Sequence, residues 1–324
     1  MSAHSHGDDH DHNGHGHNGH GHNEHGHHGH DHTPKSFGTA FAVGTALNLG
    51  LVIAQVIYGL AANSVALLAD AAHNFGDVLA LLLAWGASWL GRQSPSARRT
   101  YGWGRSSILA ALINAVVLLV SAGAIAVEAL YRLQEPGPVG GMTVIAVGVA
   151  GIAVNGITAY LFSRGHDDLN IRAAFLHMAS DAAVSLGVVL AAGGILLTGW
   201  LWLDPLASLG IVAVIILGTW GTLRDAVNLA MDGVPPSVAH RDVQAYLQGL
   251  PDVIEVHDLH IWGLSTSQIA LTAHLVRAET GDDQAMIQAA VQGLKQKFAI
   301  DHATLQVETV ASAEICALRP AHVV

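Results

Sequence analysis

Between residues 37 and 223 six apolar runs follow one another, approximately Phe37–Ala62, Leu67–Gly91, Ser106–Tyr131, Met142–Ser163, Ala173–Thr198 and Pro205–Leu223. Each is long enough to cross a hydrocarbon core of roughly 30 Å at about 1.5 Å of helix per residue, allowing for tilt. With 51% hydrophobic and 12% charged residues and a mean hydropathy of +0.40, the chain is too apolar for an ordinary soluble domain. A net charge of −11 argues against a nucleic-acid partner. Cys316, the single cysteine, excludes an intramolecular disulfide framework and any multi-cysteine zinc module.

Six spans put both termini on one side. Lys35, Arg92, Arg98, Arg99, Arg105, Arg164, Arg172 and Arg224 flank the N-terminal side or the even-numbered turns, and only Arg132 lies opposite. The expectation is a multi-pass protein of a cytoplasmic (inner) cell membrane with both termini cytoplasmic. Residues 1–35 form a tail in which thirteen of the 22 histidines fall between positions 4 and 32. It has little apolar surface to bury and is expected to be disordered, either gathering metal or simply solvated. Its apolar neighbour begins only after Lys35, unlike a secretory signal.

The fold expected is a membrane all-α unit of six transmembrane helices, residues 36–231, followed by a C-terminal cytoplasmic α+β domain, residues 232–316, and a tail, 317–324. In the soluble part, residues 240–249 and 282–298 read as amphipathic helices, and 253–264, 269–277 and 303–309 as strands. There is no Walker loop, GxGxxG, HExxH or Ser-His-Asp arrangement on which to rest an enzyme, and no sign of an organic cofactor.

Inside the six spans the acidic residues and histidines are few: Asp70, His73, Asp77, Glu128, His177 and Asp181. Each Asp near mid-membrane costs roughly 2.5–3.5 kcal/mol on insertion scales, so such groups face partners or a water-filled path. His73–Asp77 and His177–Asp181 repeat one His-x-x-x-Asp spacing, which puts both side chains on one helix face. Two facing helices would present a tetrahedral His2Asp2 set suited to Zn²⁺ or a neighbouring divalent metal, with two carboxylates balancing one dication. Asn63 to the middle of the first pair is about 18 Å of helix, and Asp168 to the middle of the second about 16 Å, so both pairs lie near the midplane. Asp70 shares the face one turn outward: it lines an exit vestibule, accepts a proton, or bonds a neighbouring helix. Glu128 reads as solvated at the outer surface, and Asn48, Asn114 and Asn155 as polar contacts between helices.

With these residues on the page, the chain resembles the cation diffusion facilitator family of divalent-metal/proton antiporters over residues 36 to 310. The matching segments are Leu67-Leu-Ala-Asp-Ala-Ala-His-Asn-Phe-Gly-Asp77, Tyr101-Gly-Trp-Gly-Arg105, His177 to Asp181, His257-Asp-Leu-His-Ile-Trp262 and Asp301-His-Ala-Thr-Leu-Gln-Val-Glu308. The resemblance implies a homodimer, a metal site between the second and fifth helices, a metallochaperone-like cytoplasmic domain, and metal export in exchange for protons. Its His/Asp composition is similar to the zinc branch, with Cd²⁺ and Co²⁺ as secondary ions. It further implies a cytoplasmic metal site at His240, His257 and His274, with Glu308 as an oxygen ligand, His260 and His302 as further candidates, and zinc there as a regulator. Arg105 and Asp232 occupy positions similar to a family salt bridge near the hinge. The extra metal site of some relatives between the second and third helices is not expected, because Arg92 to Arg105 holds no His, Asp or Glu. The short segment 164–172 with its lone His166 also departs from relatives whose His-rich loop lies there.

The competing readings are a membrane zinc metalloenzyme and a metal sensor without transport. A catalytic zinc keeps three protein ligands, a water and a nearby base. The paired motifs offer four ligands and no spare base at that depth except Asp70.

Overall fold

The structure is a computed structural model and describes residues 39–162, 169–278 and 283–320. The His-rich tract, Lys35, Arg164, His166 and the depth marker Asp168 lie outside the described residues. Six helices come first: α1 (Thr39–Ala61), α2 (Val65–Gly91), α3 (Ser106–Gln134), α4 (Gly141–Phe162), α5 (Leu169–Thr198) and α6 (Leu203–Ala230). Of these, α2 to α6 are long and apolar enough to cross a membrane, and α1 is apolar over Thr45–Ala61. Several outrun their apolar stretch. Helix α3 continues to Gln134, where Arg132 pairs with Glu128 one turn back at 2.8 Å and donates to the Asn63 carbonyl at 2.6 Å. The half-exposed Glu128 is thus paired as well as solvated.

Helix α3 packs mainly through alanines. Ile108, Ala115, Ala122 and Ala129 recur every seven positions on α3, all fully buried between α2 and α6. A Cβ at Gly76 of α2 would lie 2.2 Å from the Leu118 side chain of α3, so glycine there permits the contact that backs Asp77. The start of α2 is fastened to α6. Ser64 caps α2 by accepting from the Leu67 amide, while its hydroxyl donates to Asp204. The Val65 and Ala66 amides donate to the other Asp204 oxygen at 2.7 and 3.3 Å. Asp204 is buried, in the first turn of α6, one residue before the apolar run that starts at Pro205. By contrast Asn155, expected to bridge helices, is fully buried with neither amide atom hydrogen-bonded, and the Asn114 side-chain oxygen is also unpartnered.

The soluble part follows as α7 (His240–Gln248), β1 (Val253–Gly263), β2 (Ile269–Arg277), α8 (Asp283–Phe298), β3 (Ile300–Thr309) and α9 (Val310–Glu314). The sheet order is β1-β2-β3, with β1 antiparallel and β3 parallel to the central β2, so α8 is the crossover. Leu271, Ala273 and Leu275 alternate along β2 into a core closed by Val243 and Leu247 of α7 and Ala290 and Leu294 of α8. The opposite face of β2 carries His274. At the junction with the membrane unit the exposed Arg105 and Asp232 side chains pair, and the Thr266 amide donates to Ser107 Oγ at 3.1 Å. A pair this exposed is worth at most about 1 kcal/mol.

Residues from 317 were expected to be a tail, yet Arg319 forks onto Glu255 of β1 at 3.0 and 2.8 Å. That guanidinium holds the Glu255 carboxyl below the usual carboxylate range. A carboxyl depressed on folding stabilises above its unfolded value of about 4.3 and loses that contribution as pH falls through the lower folded value. The C-terminal segment is therefore expected to stay docked at neutral pH and loosen below about pH 4. Hydrogen exchange read by mass spectrometry and corrected for the intrinsic pH dependence checks this: protection of residues 310–320 falls on acidification in the wild type and is already low at neutral pH in Arg319→Ala.

Candidate metal centre

Helices α2 and α5 run antiparallel, so the repeated His-x-x-x-Asp spacing sets each histidine of one against the aspartate of the other. His73 Nε2 lies 3.0 Å from Asp181 Oδ1, and His177 Nε2 lies 3.2 Å from Asp77 Oδ1 and 3.8 Å from Asp181 Oδ2. Ligand atoms of His73, Asp77 and Asp181 fall within 4.8 Å of one another. Asp77 Oδ2 is buried with no hydrogen-bond partner. Exposure is graded: the His73 and Asp181 side chains are 18% and 1% exposed, those of His177 and Asp77 46% and 27%. The open pair is the one nearer the helix ends that bear the soluble domain.

Asp70 is fully buried and lines no open vestibule in this conformation. It accepts from Gln55 Nε2 of α1 at 2.7 Å, Ser185 Oγ of α5 at 2.9 Å and Asn74 Nδ2 at 3.4 Å, and Asn74 also donates to Gln55 Oε1 at 3.1 Å. Asp70 is thus hydrogen-bonded to both neighbouring helices. The network joins α1, α2 and α5 one turn outward of the His/Asp cluster. Gln55, Asn74 and Ser185 are uncharged, and sequence reasoning that searched for acids and histidines passed over them.

A second cluster lies on the sheet face away from α7 and α8. His257 of β1 and His274 of β2 are direct cross-strand partners, with ring centroids 5.1 Å apart. Gln306 of β3 is opposite His274, so Glu308, two residues on, shares that face. His274 Nδ1 lies 3.0 Å from Glu308 Oε1, and His257 Nε2 3.5 Å from Glu308 Oε2. His240 is not brought here; it begins α7 and lines a separate cavity with Arg105, Asp232 and His260. Helix α7 packs through Val243 and Leu247 into the core on the other face of the sheet, which keeps His240 away from this cluster. His260 pairs with Asp258 at 2.8 Å, and His302 meets the Tyr101 ring edge-on at 5.5 Å, so neither joins the cluster. Cys316 does: its sulfur is 3.7 Å from His274 Nδ1, and it completes a group of four whose ligand atoms lie within 4.8 Å.

Comparison with known proteins gives two family matches, the cation efflux transmembrane domain over residues 41–229 and the cation efflux protein cytoplasmic domain over 235–310. The zinc transporter ZitB of Escherichia coli is 34% identical over 265 residues, 81% of this chain and 84% of that protein. The cadmium, cobalt and zinc/H(+)-K(+) antiporter of Bacillus subtilis is 33% identical over 81% of this chain and 86% of its own length. The metal cation efflux system protein CzcD of Cupriavidus metallidurans is 34% identical over 82% and 85%. A solved structure, the metal-bound C-terminal domain of a CzcD transporter, matches 22% of this chain and 99% of its own at 33% identity, with a TM-score of 0.21.

Proposed function

This chain belongs to the cation efflux family, also called the cation diffusion facilitators, and on that premise we propose that it exports Zn²⁺ from the cytoplasm in exchange for protons through His73, Asp77, His177 and Asp181. It is a metal efflux transporter and not an enzyme, multi-pass in the membrane with a cytoplasmic C-terminal domain. The observation that carries the site is the crossed pairing of two His/Asp couples on antiparallel helices, with one buried Asp77 oxygen unused. Two imidazoles and two carboxylates match the ligand number and charge that Zn²⁺ takes, and Cd²⁺ and Co²⁺ fit the same donors.

The graded exposure supports entry of the ion from the side of the soluble domain, where His177 and Asp77 are open. Rocking of the helices then exposes the set outward. Imidazole titrates near pH 6.5 when unperturbed, so protons arriving from outside compete with the metal, and release and protonation become one exchange. Four good ligands hold an ion too firmly for rapid conduction, which favours alternating access over a pore. We further assign the cytoplasmic domain a regulatory metal site at His257, His274 and Glu308, and the functional unit is a homodimer with both termini cytoplasmic.

Zinc uptake by proteoliposomes tests the exchange. Protein inserted with its soluble domain outward, in vesicles made acidic inside, is expected to accumulate Zn²⁺ only while the gradient lasts and to acidify the outer medium as it does. Uptake at the same rate after the gradient is collapsed would overturn proton coupling.

A further inference from the structure

We propose that Cys316 is a ligand of the cytoplasmic metal site, so that a bound divalent ion ties the C-terminal segment to the sheet through sulfur. The inference rests on the reading of that sheet face as a metal site and adds the fourth donor to it.

The geometry is built from three directions. His257 and His274 are fixed as a cross-strand pair, and Glu308 by its register on β3. The chain then reverses through α9, whose start is held by a capping box in which Thr309 and Ser312 bond each other's amides. After α9 it brings Cys316 to 3.7 Å from His274 Nδ1, and Arg319 pins the segment to Glu255. Gln306 Nε2 donates to Glu308 Oε1 at 2.8 Å, and carboxylate oxygens of Glu255 and Glu308 lie 3.6 and 3.5 Å from the His257 nitrogens, but three of the enclosed polar atoms make no hydrogen bond. His257 and Glu308 are 8% and 6% exposed, and both ring nitrogens of His257 and Glu308 Oε2 lack any hydrogen-bond partner. Orphaned buried atoms of this kind are costly unless something occupies the space between them. Two nitrogens, one carboxylate and one sulfur within 4.8 Å are a four-ligand set for a thiophilic divalent ion.

The remaining nitrogen of His274 supports the assignment. Nδ1 faces Cys316 and Glu308, while Nε2 lies 3.6 Å from Asp258 Oδ2. A ligating imidazole commonly directs its other nitrogen to a carboxylate, which fixes the tautomer. Asp258 holds its place at a break in the β1–β2 register, with a φ of +49°.

Cys316 is the single cysteine, so any thiolate signal in the full chain comes from it. The test titrates Co²⁺ into detergent-solubilised full-length protein and follows the near-ultraviolet thiolate-to-cobalt charge-transfer band, with maleimide labelling of the thiol measured beside it under Zn²⁺. The expected result is a charge-transfer band that persists in Asp181→Ala, disappears in Cys316→Ser and in His257→Ala, and goes with labelling slowed about tenfold or more by Zn²⁺. Visible cobalt bands that vanish in His257→Ala, without a charge-transfer band or protection of the thiol, would overturn Cys316 as a ligand and leave the His/Glu site standing. Cobalt binding that depends only on Asp181 would overturn both. Far-ultraviolet circular dichroism of His257→Ala and Cys316→Ser confirms that each variant is folded before it is scored.

Discussion

Asp181→Ala is expected to lower gradient-driven zinc flux about a hundredfold or more, a loss larger than that from disturbing a partner of a ligand. Asp181 is the most enclosed member of the cluster and the one that touches both histidines, at 3.0 and 3.8 Å. Without it, the dication would sit near mid-membrane with a single carboxylate for charge balance, and His73 would lose its hydrogen bond. Asp181→Asn separates charge from packing, because the amide keeps the shape and one acceptor. Flux through Asp181→Asn is expected to fall nearly as far. Flux within about threefold of wild type in both variants, a difference below 1 kcal/mol, would sink the four-ligand site. A chain lacking residues 1–33 is expected to keep its flux, which makes the tail accessory to the intramembrane site.

Asp204→Ala is expected to cost about 3 kcal/mol of stability, although the residue lies away from the metal ligands. One carboxylate accepts from the Ser64 hydroxyl and from the Val65 and Ala66 amides, and removing it strands these buried donors. The unfolding midpoint in detergent should then drop by roughly 4–8 °C, since the shift per kcal/mol falls with chain length and is below the 2–4 °C typical of about 150–250 residues. Asp204→Asn, which keeps an acceptor oxygen, should recover about half. A midpoint within about 1 °C of wild type in Asp204→Ala would show that the α2 start finds other partners.

The membrane unit was legible because apolar runs of spanning length have few alternatives in lipid, and the His/Asp repeat because charged residues in such runs are rare. Strand positions in the soluble domain were legible from alternation. What alternation cannot give is which strand lies beside which, and the cytoplasmic cluster depends on that: His257 and Glu308 meet His274 only because β2 is central. His240, near the others in the sequence pattern, goes elsewhere because it begins a helix on the core side. A single cysteine makes no metal-site pattern in sequence, and the place of Cys316 depends on a chain reversal after β3. Asp204 lies one residue outside an apolar run, where an acid carries no signal of burial. Asp70 was singled out by its charge, but its burial comes from Gln55, Asn74 and Ser185, whose polarity is unremarkable in sequence.

The Ser64–Asp204 contact also bears on how the protein is made. The amide of Val65 and its acceptor are 139 residues apart, so at about 5–20 residues per second the ribosome needs roughly 7–28 s to supply the second after the first. During that interval α2 has entered the bilayer with its first turn uncapped by its final partner, and only the last span closes it. Nascent chains stopped before residue 204 would therefore carry an open polar edge in the membrane, a natural mark for quality-control proteases to tell an unfinished transporter from a finished one.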